Sequence, residues 1–375
     1  MKKIILTVLL CLVCISLFGC GDEETEYFAP VASTSEESQV VMTFTIGEQS
    51  YDIKYELYRA LFIGNREQVD GGDESVWSGD SANEKINEID LLIIERAADI
   101  YAAIHLAQSL GYDVYSDDAD AAVQEHIRLY VYGGESGGVS IQGYGSYDKY
   151  LSALKARGMN YSVGELMIRY NYALKKINEY YVGKTDSVLG NIGGKLDTSD
   201  SALLEYYNGS DSVRLLEAYF QDGTKTPERI AQIREEFVKA PTLSAVAAKI
   251  IQYTASTSSE IIDSSNRPVG KVVGRYELDE FYYSDYTDAA FSIDSGDVSP
   301  VIRISGFNDI YSDGYYILVA LPKSEEYFNT YKESILLSYI SNYIGNRLFE
   351  AKDELISGLA LAEGYQNIIH SELSK

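Results

Sequence analysis

Cys20 is the residue whose surroundings most clearly prescribe a chemistry. It closes the tetrapeptide Leu17-Phe18-Gly19-Cys20, a small residue before a thiol at the end of an apolar run, which is the arrangement of a lipobox. Lys2 and Lys3 precede that run, residues 4–18, and it is too short to span a bilayer comfortably. Residues 1–20 are therefore expected to be a lipoprotein signal peptide, with lipid attached at Cys20. A signal peptide cut elsewhere is the alternative. Cys11 and Cys14 fall inside the removed segment, so no disulfide can form in the mature chain. The expected location is extracytoplasmic, lipid-anchored to the bacterial cell membrane.

The remaining residues that could do chemistry are scattered. His105, His126 and His370 have no metal-ligand spacing, and each is expected on a helix surface. Asp113, Asp117, Asp118 and Asp120 lack the alternation and the glycine of a calcium loop, so helix capping explains them. Gly133, Gly134, Gly137 and Gly138 lie in a stretch with no following Gly-Lys-Ser/Thr and no βαβ unit, and read as a flexible loop. No serine or cysteine is flanked by a recognisable histidine partner of a nucleophile arrangement, which disfavours a hydrolase without excluding distant partners. Neither a metal nor a cofactor is expected.

The formal charge of −26 argues against nucleic acid and against direct adsorption to an anionic bilayer. The 33 tyrosines are a different kind of signal, because an apolar ring with a polar tip suits wet, adaptable contact surfaces.

The elements that must position any site follow from periodicity. Residues 21–39 are acidic and rich in Ser and Thr, and read as a disordered tether. Residues 40–46 alternate and are β-branched, a strand; Gly47 turns, and 51–63 reads as a helix ending near Gly64. Apolar residues at helical spacing predict a helix over about 83–110, another from the Ser116 cap to about 130, and two more over about 147–157 and 163–181. A Gly-rich linker, 183–197, leads to a short helix at 198–207. Near the far end, Ser324 caps a helix whose apolar positions keep period to about 357, roughly 50 Å at 1.5 Å per residue. An apolar face of that length needs a partner, and residues 40–182 are the large supply. The C-terminal helix is expected to fold back on them.

Between these ends, residues 213–220 form a strand, and Thr226-Pro227 caps and starts a helix reaching about 239. A second helix covers about 243–250, with Gly270 and Gly274 further on. Then come a short amphipathic helix at 285–291, a tight turn at Ser295-Gly296-Asp297, a strand ending near Ile304, a polar loop and a last apolar strand at 315–320. This is a small α+β layer unit.

The ordered set Tyr286, Ala289, Ala290, Phe291, Gly296, Ser299, Pro300, Val301, Gly314, Tyr315 and Ile317 resembles the closing half of the parvulin-type (PpiC) peptidyl-prolyl isomerase domain. The opening strand, turn and helix, together with the Ala-Gln-Ser-Leu-Gly-Tyr junction at 107–112, resemble the N-terminal region of PrsA/SurA-type foldase lipoproteins. The resemblance implies a mainly helical α+β protein. Its chaperone domain would span 40–210 and be completed by 324–375, with a parvulin-like domain at 211–323 inserted between.

In that family two facing histidines form a polar cluster beneath the substrate, and Met and Phe line a proline pocket. Carried over, the histidine positions fall at Glu217 and Tyr316, the Met near Tyr282 and the pocket Phe at Tyr286. Both histidines are thus absent. Glu217 and Tyr316 could share a hydrogen bond, or both could be ordinary strand positions. The resemblance implies that Tyr282, Tyr286, Phe291 and Tyr316 bind substrate, and that the partners are unfolded or partly folded exported proteins. The function so implied is that of an extracytoplasmic foldase or chaperone with weak or no isomerase activity. The alternatives are an active isomerase with a histidine-free site, or a lipoprotein binding glycan or a small solute through its tyrosines.

Overall fold

The computed structural model describes residues 27–78, 82–136, 139–186, 190–254, 261–276, 284–304 and 314–373. The architecture is α+β and mainly helical with small antiparallel sheets, as expected. The chain divides into two compact units, one of residues 1–195 with 347–375 and the other of residues 196–346. The expected boundaries at 211 and 323 therefore fall inside the second unit. The helix at 200–208 and the start of the C-terminal helical stretch count with the strands that follow and precede them.

In the first unit, β1 (Val40–Ile46) and β2 (Gln49–Lys54) form a hairpin in which Phe44 faces Tyr51 and Ile46 faces Gln49. Gly47 sits at φ 58 in the two-residue loop, the positive φ such a hairpin asks of its first loop residue. The helix expected from residue 51 starts later: α1 runs Tyr55–Asp70, passes through Gly64 and stops at Gly71, whose φ is 59. Ladder bonds to β1 and full burial of Ile53 hold 49–54 extended, while Gly64 sits in open space and imposes no stop.

Helices α2 (Ala82–Ser109), α3 (Asp117–Tyr132), α4 (Tyr147–Ala156) and α5 (Tyr161–Val182) follow. Ser116, Ser146 and Asn160 each accept the N–H three residues on, the cap that their side chains predispose. The loop expected at 133–138 is part of a hairpin, β3 (Gly134–Ser136) with β4 (Val139–Ile141). The linker expected at 183–197 likewise contains β5 (Gly183–Asp186) paired with β6 (Gly190–Gly193).

The segment expected to be a disordered tether is ordered where described. Phe28 is 3% exposed against Val123, Ile127 and Tyr150, and the Gln124 side chain brackets its backbone N–H and C=O at 2.9 and 3.3 Å. Asn160 and Ser33 both donate to the Glu56 carboxylate, fixing the arm further along. Two adjacent aromatics, Tyr27 and Phe28, in an otherwise polar stretch leave no period to read.

In the second unit, α6 (Asp200–Asn208) precedes a four-stranded antiparallel sheet of order β8, β7, β10, β9. These strands are β7 (Ser212–Gln221), β8 (Lys271–Gly274), β9 (Ile302–Ile304) and β10 (Gly314–Ala320). Alternation decides the faces. Leu216, Ala218 and Phe220 join Ile317 and Val319 on one side, under α7 (Pro227–Val238) and α8 (Leu243–Tyr253). Leu215, Tyr219, Tyr316, Leu318 and Ala320 lie on the other, under α9 (Ser284–Ser292).

The single long C-terminal helix is in fact two, α10 (Glu325–Thr330) and α11 (Lys332–Ser357), broken at Tyr331. At the break the Thr330 hydroxyl donates to the Glu326 carbonyl at 2.8 Å, an i to i−4 bond that bends helices. Residues after 347 return to the first unit, where Lys352 pairs with Asp99 at 2.8 Å and β11 (Ala360–Leu361) adds to the free edge of β1. Among the described residues no helix is long and apolar enough to cross a membrane.

Candidate functional site

The site begins with β7 and β10, the two central strands. Glu217 stands opposite Leu318 and Tyr219 opposite Tyr316, so Glu217 and Tyr316 are diagonal neighbours on one face. Tyr316 is 4% exposed and its ring lies 4.9 Å from that of Tyr219. The α9 residue Tyr286 is fully buried, with its ring edge-on to Tyr316 at 5.6 Å.

Glu217 accepts the Tyr286 hydroxyl at 2.5 Å and pairs with Lys271 of β8 at 3.3 Å, both through Oε2. The hydrogen bond weighed between Glu217 and Tyr316 does not form. A diagonal pair lies about 7–8 Å apart, whereas Tyr286 descends from the helix directly above. Glu217, Tyr286 and Tyr316 are thus brought together with Tyr219, a carboxylate beside three tyrosine rings packed tilted or edge-on. Tyr282 lies outside the described residues.

Phe291 packs at the edge of the same layer. It is half-buried near the end of α9, where the Arg275 guanidinium covers its ring at 4.4 Å, and it lines a separate cleft at the beginning of β7.

That cleft encloses about 400 Å³ and is walled by Ser210, Ser212, Arg214, Arg275, Phe291 and Lys323 among others. Arg214 is buried and donates to the carbonyls of Val269, Pro268 and Pro322, with its guanidinium 3.8 Å from the Tyr327 ring. Burial holds its pKa below the ordinary value. Lys323 donates to the carbonyls of Gly209 and Ser212 at 2.7 and 2.8 Å and to the Ser212 hydroxyl, and burial pushes its pKa down to about 8.

A second cleft, about 540 Å³, lies on the opposite side of the sheet, between α7 and α8 and the turn after α9. Its floor is Phe237, Leu243, Val246 and Val298, with Arg234, Asp294 and Asp297 at the margin.

Sequence reasoning missed Tyr219, Lys271, Arg214, Arg275 and Lys323. Tyr219 was within reach, since period two puts it on the Glu217 face. Arg214 interrupts an apolar strand, a signal that a buried cation needs a purpose. Of the histidines, His105 and His126 are half-buried on helices, but His370 is 8% exposed inside the first unit, not on a surface. The Tyr58 hydroxyl donates to Asp90 and lies 2.8 Å from His370 Nε2, and Tyr365 donates to the other Asp90 oxygen.

No protein-family model matches the chain, and no curated protein matches it. Among solved structures it is similar to PrsA from Bacillus subtilis, at 14% identity over 74% of this chain and 87% of that one, with a TM-score of 0.24. It is also similar to foldase protein PrsA from Streptococcus pneumoniae, at 14% identity over 88% of this chain and 98% of that one, TM-score 0.26. A third is foldase protein PrsA from Lactococcus lactis, at 13% identity over 90% and 100%, TM-score 0.24. These are structures of the family that the sequence motifs resemble. At these values the likeness assigns no residue a role.

Proposed function

We propose that this chain is an extracytoplasmic foldase-type chaperone, anchored through lipid on Cys20, that binds non-native exported polypeptides and has weak or no prolyl isomerase activity. The observation that carries the second half is the engagement of Glu217. Catalysing rotation about an X–Pro bond means stabilising a twisted amide against a barrier of about 18–20 kcal/mol, using polar groups free to meet it. Here the carboxylate at the first site position is taken up by Tyr286 and Lys271. The residue at the second, Tyr316, has its ring buried between two others. Residues 196–346 contain no histidine to replace them.

The binding half rests on exposed tyrosines, among them Tyr27, Tyr115 and Tyr132, each more than half exposed. Tyrosine rings give large contact area at low conformational cost, which suits partners of varied sequence. A client-aggregation assay tests it. Suppression of light scattering by a thermally unfolding client at stoichiometric ratios is expected; no suppression by folded protein would overturn the reading.

The second reading, an isomerase working through Glu217 and Tyr316, draws on the same cluster of carboxylate and phenol. A prolyl-isomerisation assay on peptides varied before proline separates the two, because uncatalysed exchange takes tens to hundreds of seconds. No acceleration is expected. Acceleration that disappears in Tyr316→Ala would replace the first reading by the second.

A further inference from the structure

We infer that the cleft at the beginning of β7 is a binding site for the C-terminal carboxylate of a polypeptide whose last side chain is apolar. In a chain of net charge −26, three cations meet around one opening: Arg214, Arg275 and Lys323. Among the described residues none of them forms an ion pair with a carboxylate; Asp211 acts on Lys323 only from a distance. Arg214 and Lys323 spend their donors on neutral carbonyl and hydroxyl oxygens, so their charge is held in place with no carboxylate in contact among the described residues. Arg275 differs. Its guanidinium lies over Phe291, and no acceptor among the described residues takes its N–H groups. It can therefore grip a carboxylate by two parallel hydrogen bonds, with the buried Arg214 and the half-buried Lys323 adding positive field.

The rest of the wall is the serines Ser210, Ser212 and Ser295 and an apolar side that includes Ala290, Phe291, Ile293 and Leu321. A ligand must then carry a negative group and an apolar group within a few ångströms of each other. In a peptide's last residue the carboxylate and the side chain share one Cα, which satisfies that demand directly. A volume of about 400 Å³ holds one or two residues. An aspartate followed by an apolar residue carries the same chemistry less compactly, and inorganic phosphate carries only the charge. That the carboxylate comes from a polypeptide rests on the proposed function.

The test is fluorescence anisotropy of the full chain with fluorescein-labelled Gly-Ser-Ala-Leu-Phe, compared as free acid and as C-terminal amide. The free acid is expected to bind at least tenfold more tightly, more weakly as salt is raised, and to be displaced by unlabelled acid but not by phosphate at equal ionic strength. Arg275→Gln should weaken the acid at least tenfold and leave the amide and the thermal melt unchanged, because the substitution keeps the backbone bond from Arg275 to the Asp211 carbonyl and the guanidinium's contact among the described residues is the Phe291 ring. Phe291→Ala should reduce the preference for a terminal Phe over a terminal Gly. Equal binding of acid and amide, an unaffected Arg275→Gln variant, tighter binding of an internal Asp-Phe peptide amide, or displacement by phosphate would each overturn the assignment. Aggregation suppression without acid binding would sink this inference and leave the chaperone reading standing. Acid binding without aggregation suppression would do the reverse.

Discussion

The hydroxyl of Tyr286 reaches down from α9 to donate to Oε2 of Glu217 on β7 at 2.5 Å, tying the helix to the central strand through a polar contact within a mainly apolar layer. A hydrogen bond to a charged acceptor contributes about 1.5–3 kcal/mol. Tyr286→Phe is therefore expected to lower the stability of the second unit by about 2 kcal/mol. In that background Glu217→Gln should cost less than in the parent, and urea melts of the four proteins in a double-mutant cycle measure the coupling. Additive effects would mean that the contact contributes nothing.

Thr287, the next residue, is 2% exposed and its hydroxyl has no hydrogen-bond partner among the described residues. Replacing an unsatisfied buried hydroxyl by a methyl of similar shape removes a desolvation cost of about 1–3 kcal/mol. Thr287→Val is expected to raise stability by about 1 kcal/mol net of the slightly poorer fit of an apolar group. A lowered melting temperature would show that the hydroxyl is satisfied.

Phe28 makes the N-terminal arm part of the first unit. Large aromatic truncations in a core cost about 3–5 kcal/mol. Phe28 is covered by one thin segment, so Phe28→Ala is expected at the lower end, about 3 kcal/mol, with faster proteolysis within residues 27–39. Unchanged cleavage would return the segment to the status of a tether.

His370 predicts a pH dependence. Burial pushes its pKa below 6.5, against the weaker opposing pull of Asp90. With Tyr58 donating to Asp90, the shared contact requires His370 to donate from Nε2 as the neutral ring. The depressed pKa means that the unfolded chain takes up a proton first as pH falls below about 6.5. Stability should then fall with pH until the folded ring also protonates. His105 and His126 are shifted down by burial too, with the same sign. Urea midpoints at pH 7.5 and 5.5 should differ, and His370→Gln should shrink the difference. An equal difference in parent and variant would rule out His370 as a contributor.

Lipid attachment predicts that radiolabelled palmitate is incorporated by a bacterial expression host and that Cys20→Ala abolishes incorporation. Label retained in that variant would place the modification elsewhere.

Local signals in the sequence carried far where they are local in physics. Thr226 caps the helix that Pro227 starts, with the Arg229 N–H on its hydroxyl, because both residues prescribe that geometry without help. The alternation of β7 and the ordered Ala-Ala-Phe, Ser-Pro-Val and Gly-Tyr segments placed Glu217, Tyr286 and Tyr316 in one layer. What escaped depends on distant partners. Residues 49–54 look as much like the first turns of a helix as like a strand until β1 is beside them. His370 looks exposed until Tyr58 and Asp90 close over it. The cationic cleft joins the beginning of β7, the residue after β8, the end of α9 and the residues after β10, four places with no common period.

The contact between Tyr58 and His370 joins residues 312 apart, and β11 seals the edge of the strand that opens the described chain. During synthesis β1 emerges early and must wait, one edge bare, until almost everything else has been made. An unpaired edge is a template for another chain. A nascent copy of this protein therefore passes through a stage in which it is itself in need of shielding, and shortening its C-terminal end before Ala360 would make that stage permanent.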